Sequence, residues 1–216
     1  MKTVGLLGSR NYKKATMYLE AINQKLKTHF REKRTAKVVL NTIDVSEISR
    51  DKVIYSKELI YYSTVLREAG AHILVLCDDL DHEYAKSIRR NINMPLVHIG
   101  EAVGERLKSD NIKKALLIGS REIMQADFFI AAMNRSGVTV HLPPMKVINE
   151  IHEMIEKKED PIKLISMIES FRMKGVSGVV LTEDVGIDPS DLSINVYNSF
   201  DIHVDKIVNE IMKGII

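Results

Sequence analysis

Short runs of apolar residues alternate along the chain with longer stretches whose apolar positions recur at helical spacing. Val4-Gly5-Leu6-Leu7 is followed by an amphipathic stretch over 14–26. Lys37-Val38-Val39-Leu40 is followed by one over 51–69, and Ile73-Leu74-Val75-Leu76 by one over 83–91, before the run Pro95-Leu96-Val97-His98-Ile99. A second series opens with Ala115-Leu116-Leu117-Ile118 and continues through Val138-Thr139-Val140 and helical stretches over 146–155 and 161–174. It closes with Gly178-Val179-Val180-Leu181, Ile194-Asn195-Val196 and a last helical stretch over 204–212. Apolar runs without polar alternation, separated by helices, predict parallel strands buried on both faces. The expected fold class is therefore α/β.

The two series match each other. Gly8-Ser9-Arg10 after the first strand recurs as Gly119-Ser120-Arg121, 38–40 corresponds to 138–140, 75–79 to 180–184, and 95–99 to 194–198. Four equivalences in the same order predict a duplicated unit. The expected architecture is two pseudo-symmetric lobes, each with a mainly parallel four-stranded sheet flanked by helices, and a cleft between them. The first lobe spans 1–100 with a C-terminal helix at about 203–216, the second spans 101–202, and the boundary lies near 100–108. Parallel sheets bind ligands beyond the carboxyl ends of their strands. The residues expected there are Gly8, Ser9, Arg10 and Asn11, then 78–81, 119–121 and 182–184. The third strand of each lobe delivers a carboxylate to that edge, Asp78 from one and Glu183 from the other.

Charge and composition narrow the function. With 31 Lys+Arg against 29 Asp+Glu the net charge is +2, which argues against a nucleic-acid partner. The basic stretch 28–37 reads as a solvated helix end and loop. No apolar run approaches the ~18 residues of a membrane span. The first residues lack a signal-peptide pattern, and a cytoplasmic protein is expected. The single cysteine, Cys77, excludes an internal disulfide framework, a Cys-cluster metal site and any chemistry that needs two thiols in one chain.

Gly5-Leu6-Leu7-Gly8-Ser9-Arg10 has half the spacing of a dinucleotide fingerprint and lacks its third glycine. It reads as a plain βα turn or as one whose backbone N–H groups hold a carboxylate, and the twin at Gly119-Ser120 favours the second. Asp78, Asp79, Asp81 and His82 contain competent metal ligands, but no other motif supplies partners. A solvated loop is expected, with no metal. His82 is expected to cap or pack at the start of the next helix and His203 to be a hydrogen-bonded structural histidine. Cys77, closing an apolar run, is expected in the core. Tyr61, Tyr62, Met124, Met133 and Met145 are packing or cleft-lining candidates.

The chain resembles the aspartate/glutamate racemase family, in its PLP-independent aspartate racemase branch. The resemblance rests on MKTVGLLGSRNYKKATMYLEAIN, on VVLNTIDVSEI with Thr42 and Asp44 in a Ser-x-Asp-Phe-like segment, on ALLIGSREIMQADFF, and on VYNSFDIH with Ser199 and His203 at motif positions. It implies the two-lobe fold with the last helix returning to the first lobe, a homodimer, and a cofactor-independent racemisation. In that reaction one thiol from each lobe removes or returns the α-proton of an amino acid. The chain departs from the pattern at both thiols. In the motif Cys-Asn-Thr-x-His, anchored on His82, the Cys position is Asp78, and the substrate-holding Asn and Thr are Asp79 and Leu80. Cys77 lies one residue earlier, on the other face of a strand end. In Gly-Cys-Thr-Glu the Cys position falls on Glu183, or on Leu181 if Thr182-Glu183 is taken as the Thr-Glu pair.

The expected catalytic pair is Asp78 and Glu183. Like charges sharing a dry site keep one carboxyl protonated, which formally supplies an acid and a base. The expected substrate-binding set is Gly8, Ser9, Arg10, Asn11, Asp79, Leu80, Ser120 and Thr182. Arg10, Arg50 and Lys146 are candidate carboxylate binders or solvated surface. Three aspartates at one edge disfavour an anionic dicarboxylate, so the expected ligand is a neutral or cationic amino-acid-like molecule. The alternative is a non-catalytic descendant of the family that binds such a ligand.

Overall fold

The computed structural model describes residues 1–10, 12–31, 33–157 and 161–213. The chain forms two compact units, Met1–His98 with His203–Ile216, and Ile99–Ile202.

In the first unit β1 (Thr3–Gly8), β2 (Lys37–Thr42), β3 (Ile73–Leu76) and β4 (Leu96–Val97) form a parallel sheet in the order β2-β1-β3-β4. Helices α1 (Tyr12–His29), α2 (Lys52–Glu68) and α3 (Ala85–Asn91) flank these strands. Helix α1 buries Ala15, Tyr18, Ile22 and Leu26, spaced three and four residues apart so that they share one face. Helix α2 is started by Asp51, whose carboxylate accepts from Val53 N and Ile54 N at 2.8 and 3.0 Å. It buries Tyr55, Leu59 and Leu66 in one cluster with Leu7, Leu74 and Leu76 of the sheet and Ala85 and Ile88 of α3.

In the second unit β5 (Lys114–Ile118), β6 (Thr139–His141), β7 (Gly178–Leu181) and β8 (Asn195–Asn198) repeat the topology as β6-β5-β7-β8, again all parallel. Its helices are α4 (Ile99–Ser109), α5 (Arg121–Met124), α6 (Asp127–Arg135), α7 (Met145–Lys157) and α8 (Ile162–Ser170). The two-residue period of the strands divides the core. Leu116, Ile118, Val179 and Leu181 meet Ile148, Ile151 and Met154 of α7 and Leu164 and Ile168 of α8. Ala115, Leu117 and Val180 lie with Val103 and Leu107 of α4 and Phe129 and Met133 of α6. The last helix, α9 (Ser199–Met212), belongs to the first unit from His203 onwards. There Val204, Ile207 and Ile211 are buried, and Asp205 pairs with Lys25 of α1 at 2.5 Å.

Strand pairing tests the repeat residue by residue. Leu7 pairs with Leu76 and Ile118 with Leu181, so the alignments of Gly8-Ser9-Arg10 with Gly119-Ser120-Arg121 and of 75–79 with 180–184 hold without a shift. The other two expected alignments need correction. Val4 pairs with Val38 and Ala115 with Val140, which equates Val38 with Val140 and moves the second-strand alignment by two residues. Leu74 pairs with Leu96 and Val179 with Val196, which moves the fourth by one. A uniformly apolar strand carries no internal mark of its register; hydrogen bonds to a distant neighbour set it.

Helices α4, α5 and α6 were not anticipated. Residues 100–108, expected as a boundary, lie within α4, whose glycines obscured a helical spacing carried by Ala102, Val103 and Leu107. Gly104 is there for contact: a Cβ would lie 2.9 Å from Ser136 Cβ. The run 95–99 supplies only two strand residues, because Ile99 already begins α4. The stretch 161–174 ends as helix at Ser170 and closes with a 3-10 turn, Arg172–Lys174, before Gly175 at φ 77°. Among the described residues no helix is long and apolar enough to cross a membrane.

Gly8 fixes the approach of β1 to α1. A Cβ on Gly8 would stand 2.7 Å from Ala15 Cβ, which no side-chain rotation can relieve. Gly8→Ala is expected to cost about 1–3 kcal/mol through overpacking. Ala15→Gly alone should cost about 1 kcal/mol of helix propensity. Chemical denaturation of the double variant should show a loss clearly smaller than the sum of the two; simple additivity would disprove the contact.

Candidate active site

The carboxyl edge of the first sheet is built by extending the β1–β3 pairing one step. Cys77 N donates to Leu7 O at 2.9 Å, after which the chain leaves the sheet and Asp78 opens a 3-10 segment, Asp79–Tyr84. The half-buried Asp78 caps that segment: its Oδ1 accepts from Leu80 N at 3.0 Å. Asp79 is buried and paired with Lys14 of α1 at 3.2 Å. Leu80 brings no donor to the position.

Asp81 is fully buried and held by three residues from two other places in the chain. Ser9 Oγ donates to its Oδ2, Tyr55 Oη donates to its Oδ1 at 2.6 Å, and Arg10 Nε stands 3.7 Å from the same oxygen. Arg10 Nε also donates to Tyr55 Oη at 3.2 Å, and its guanidinium lies over the Tyr55 ring, 4.6 Å from the centroid. Burial, and then the neighbouring charge of Asp78, raise the Asp81 carboxyl to about 6, against the pull of Ser9, Tyr55 and Arg10. Burial and the charge of Asp81 push the Tyr55 phenol up, so it stays a donor. The same causes push up the thiol of Cys77: burial first, then Asp81, Asp78 and Asp79. Cys77 is a core residue without thiolate character.

Behind this edge lies a buried histidine group. The ring of His82 meets those of His98 and His203 edge-on, with centroids 4.8 and 5.3 Å away. Burial raises the Tyr18 phenol well above its usual range, so its hydroxyl donates to His203 Nδ1 at 2.7 Å. His203 Nε2–H then donates to Val97 O at 2.9 Å, which defines a neutral ring. Burial lowers His203 to about 4. His82 is driven down by burial and then by His98 and His203, and its Nε2–H donates to Leu76 O at 3.2 Å. Both histidines are structural.

The second unit repeats the strand-end geometry. Thr182 N donates to Ile118 O at 3.0 Å, the counterpart of the Cys77–Leu7 bond. Gly119 lies so close that a Cβ would fall 1.9 Å from Thr182 Oγ1. The next residue, Glu183, is half-buried, and its Oε1 accepts from Ser120 N at 3.1 Å. Ser120 Oγ in turn accepts from Ile123 N at 3.4 Å. Leu181 lies in the core beside Ile148 and Leu164, so it presents nothing at this edge.

The expected residues thus gather in two groups: Gly8, Ser9, Arg10, Asp78, Asp79 and Leu80 in the first unit, and Ser120, Thr182 and Glu183 in the second. Asn11 lies outside the described residues. Arg50 and Lys146 are exposed, as are Tyr61 and Met145, while Met124 and Met133 are core. Tyr55 and Lys14 were missed. A tyrosine on the buried stripe of α2 needs a partner for its hydroxyl, but nothing local identifies that partner as Asp81. Among the described residues no group of three or more His, Cys, Asp or Glu can hold a metal ion.

A model of the Asp/Glu/hydantoin racemase family matches residues 15–206. The fold is similar to the crystal structure of an aspartate racemase homologue from Pyrococcus horikoshii, with 24% identity over 98% of this chain and 99% of that one and a TM-score of 0.89. A candidate Asp/Glu racemase from Yersinia pestis gives 22%, 98% and 100%, with a TM-score of 0.90. The aspartate racemase of Picrophilus torridus gives 13%, 99% and 94%, with a TM-score of 0.68.

The titrating groups set opposite trends with pH. His203, near 4 in the fold against about 6.5 unfolded, contributes stability that is complete above pH 6.5. That contribution is lost as pH falls toward 4, by roughly 3 kcal/mol. His82 acts in the same direction. Asp81, raised to about 6 from an unfolded value of about 3.9, contributes stability that is complete below the unfolded value and lost as pH rises through the folded one. The two histidines outweigh the one carboxylate, so the melting temperature should fall from pH 6.5 to pH 4. Asp81→Asn should steepen that fall and His203→Gln should flatten it. A wild-type melting temperature that is level or rises toward pH 4 would contradict the assignment.

Proposed function

The chain belongs to the Asp/Glu/hydantoin racemase family, and on that premise we propose that it is an amino-acid racemase or epimerase in which Asp78 and Glu183 exchange the α-proton. One observation carries the reading. The two carboxylates occupy equivalent places, each two residues beyond the third strand of its sheet, β3 ending at Leu76 and β7 at Leu181. Each place is set by the same backbone bond to the first strand.

The chemistry is a two-base transfer. One carboxylate takes the α-proton from one face of the amino acid, and the electron pair left on the α-carbon is delocalised into the substrate carboxyl group. The other, protonated, group returns a proton to the opposite face, and the configuration inverts. The roles exchange with the hand of the substrate. A backbone N–H from Leu80 holds Asp78 and one from Ser120 holds Glu183. A carboxylate has two oxygens, so such a bond orients it and leaves an oxygen for the proton. Leu181 at the second position would supply no proton carrier, which is why Glu183 is preferred.

A second reading has its own support. Asp79 is tied to Lys14, and the Leu80 side chain has no donor, so this edge offers a carbanion few hydrogen bonds beyond the backbone. A non-catalytic protein that binds an amino-acid-like ligand tolerates that; a racemase must compensate for it.

Incubation in deuterium oxide with a panel of L- and D-amino acids separates the two. Deuterium at the α-carbon of at least one substrate is expected, and Asp78→Asn or Glu183→Gln should each slow it by about 10²- to 10⁴-fold. No exchange with any amino acid, from folded protein, rejects the racemase; saturable ligand binding without exchange then selects the second reading.

A further inference from the structure

The turn after β1 carries the donors of an anion site: the Ser9 hydroxyl, the Arg10 guanidinium and, reaching in from α2, the Tyr55 hydroxyl. They converge on one carboxylate, and it is the chain's own. Asp81 accepts from Ser9 on one oxygen and from Tyr55 on the other, with Arg10 as counter-charge, and no part of it reaches solvent. Two hydroxyl donors and a guanidinium around a carboxylate form the set that a carboxyl-bearing ligand would require. Two neighbours close off the remaining charge in the same way. Asp79 is neutralised by Lys14, and Asp78 is engaged at Leu80 N.

We propose that Asp81 determines substrate class: it occupies the donors that would receive a ligand's second carboxylate, so the protein takes a neutral or cationic amino-acid-like ligand and refuses aspartate and glutamate. The inference rests on the reading that these strand ends face the substrate. It adds the reason the ligand differs from the one in the family's name. Local charge agrees with it. Asp78, Asp79 and Asp81 stand against Arg10 and Lys14, so the edge carries a surplus negative charge that repels a dicarboxylate and attracts an amine.

The test is binding, so it is read independently of turnover. Wild-type protein titrated calorimetrically with L- and D-aspartate, glutamate, succinate and acetate should show no saturable heat. Asp81→Ala should bind acetate and succinate at least tenfold more tightly than wild type. Its melting temperature should rise by roughly 3–6 °C at a tenfold excess of ligand over Kd. Removing a donor as well, in Ser9→Ala/Asp81→Ala, should cancel most of the gain. Saturable binding or turnover of aspartate or glutamate by the wild type overturns the proposal. So does a folded Asp81→Ala that gains no affinity for carboxylates. If that variant does not fold, the wild-type titration still decides. A chain that exchanges no α-proton at all while Asp81→Ala gains acetate would remove the racemase reading and leave this one standing.

Discussion

The parallel pairing of the first strand with the third sets everything at the carboxyl edge of each sheet. Leu7 against Leu76 and Ile118 against Leu181 fix where the chain must leave the sheet. One further backbone bond in each unit, from Cys77 and from Thr182, then carries the ladder one residue past the strand. A shift of one residue would turn Cys77 outward and bury Asp78 in its place. It would exchange an inert thiol for an unpartnered charge in the core, which costs several kcal/mol. The register is therefore enforced by what would be buried if it failed. Gly8 and Gly119 serve the same constraint, since a β-carbon at either place would collide with Ala15 or Thr182.

Given that register, the polar edge of the first unit follows from the cost of burying carboxylates. Asp79 and Asp81 are both nearly or wholly out of water. Each is met by groups that come from α1, α2 and the β1 turn rather than from its own segment. Such groups are worth more together than apart, because removing any one leaves a buried charge with unmet hydrogen-bonding capacity. Burial and the charge of Asp78 raise Asp81 to about 6 in spite of its three partners. The histidine group beneath it solves a similar problem without charge, with Tyr18, His203 and Val97 forming a chain of neutral hydrogen bonds.

The sequence made the skeleton of this arrangement legible, and it did so where the signal was local. Apolar runs marked all eight strands among the described residues, and the recurrence of Gly-Ser-Arg equated β1 with β5 correctly. The aspartate and glutamate after β3 and β7 were matched without a shift because a change from apolar to acidic residues marks the strand end. The second and fourth strands were misaligned because Val-Val-Leu and Leu-Val-His look the same in any register. Helices α5 and α6 went unread: α5 is a single turn of four residues, and α6 spans only nine. The set of donors around Asp81 was illegible for a different reason. Its donors come from positions 9, 10 and 55, and no spacing rule links a helix residue to a loop residue many positions away. Only the folded chain joins them.

That juxtaposition explains why an internal carboxylate is so effective an occupant. Asp81 is tethered by the backbone within reach of Ser9, Arg10 and Tyr55, so its binding costs no translational freedom. A free carboxylate must meet that cost in full and compete with a group whose effective concentration is set by covalent geometry. It must also enter against Asp78 and Asp79. On the proposed reading, mass action at ordinary ligand concentrations does not displace such an occupant. The donors of the turn are thereby committed to the fold, while Asp78 in the first unit and Glu183 in the second remain partly exposed. A site whose exposed groups are acids and whose donors are already satisfied discriminates by charge before it discriminates by shape.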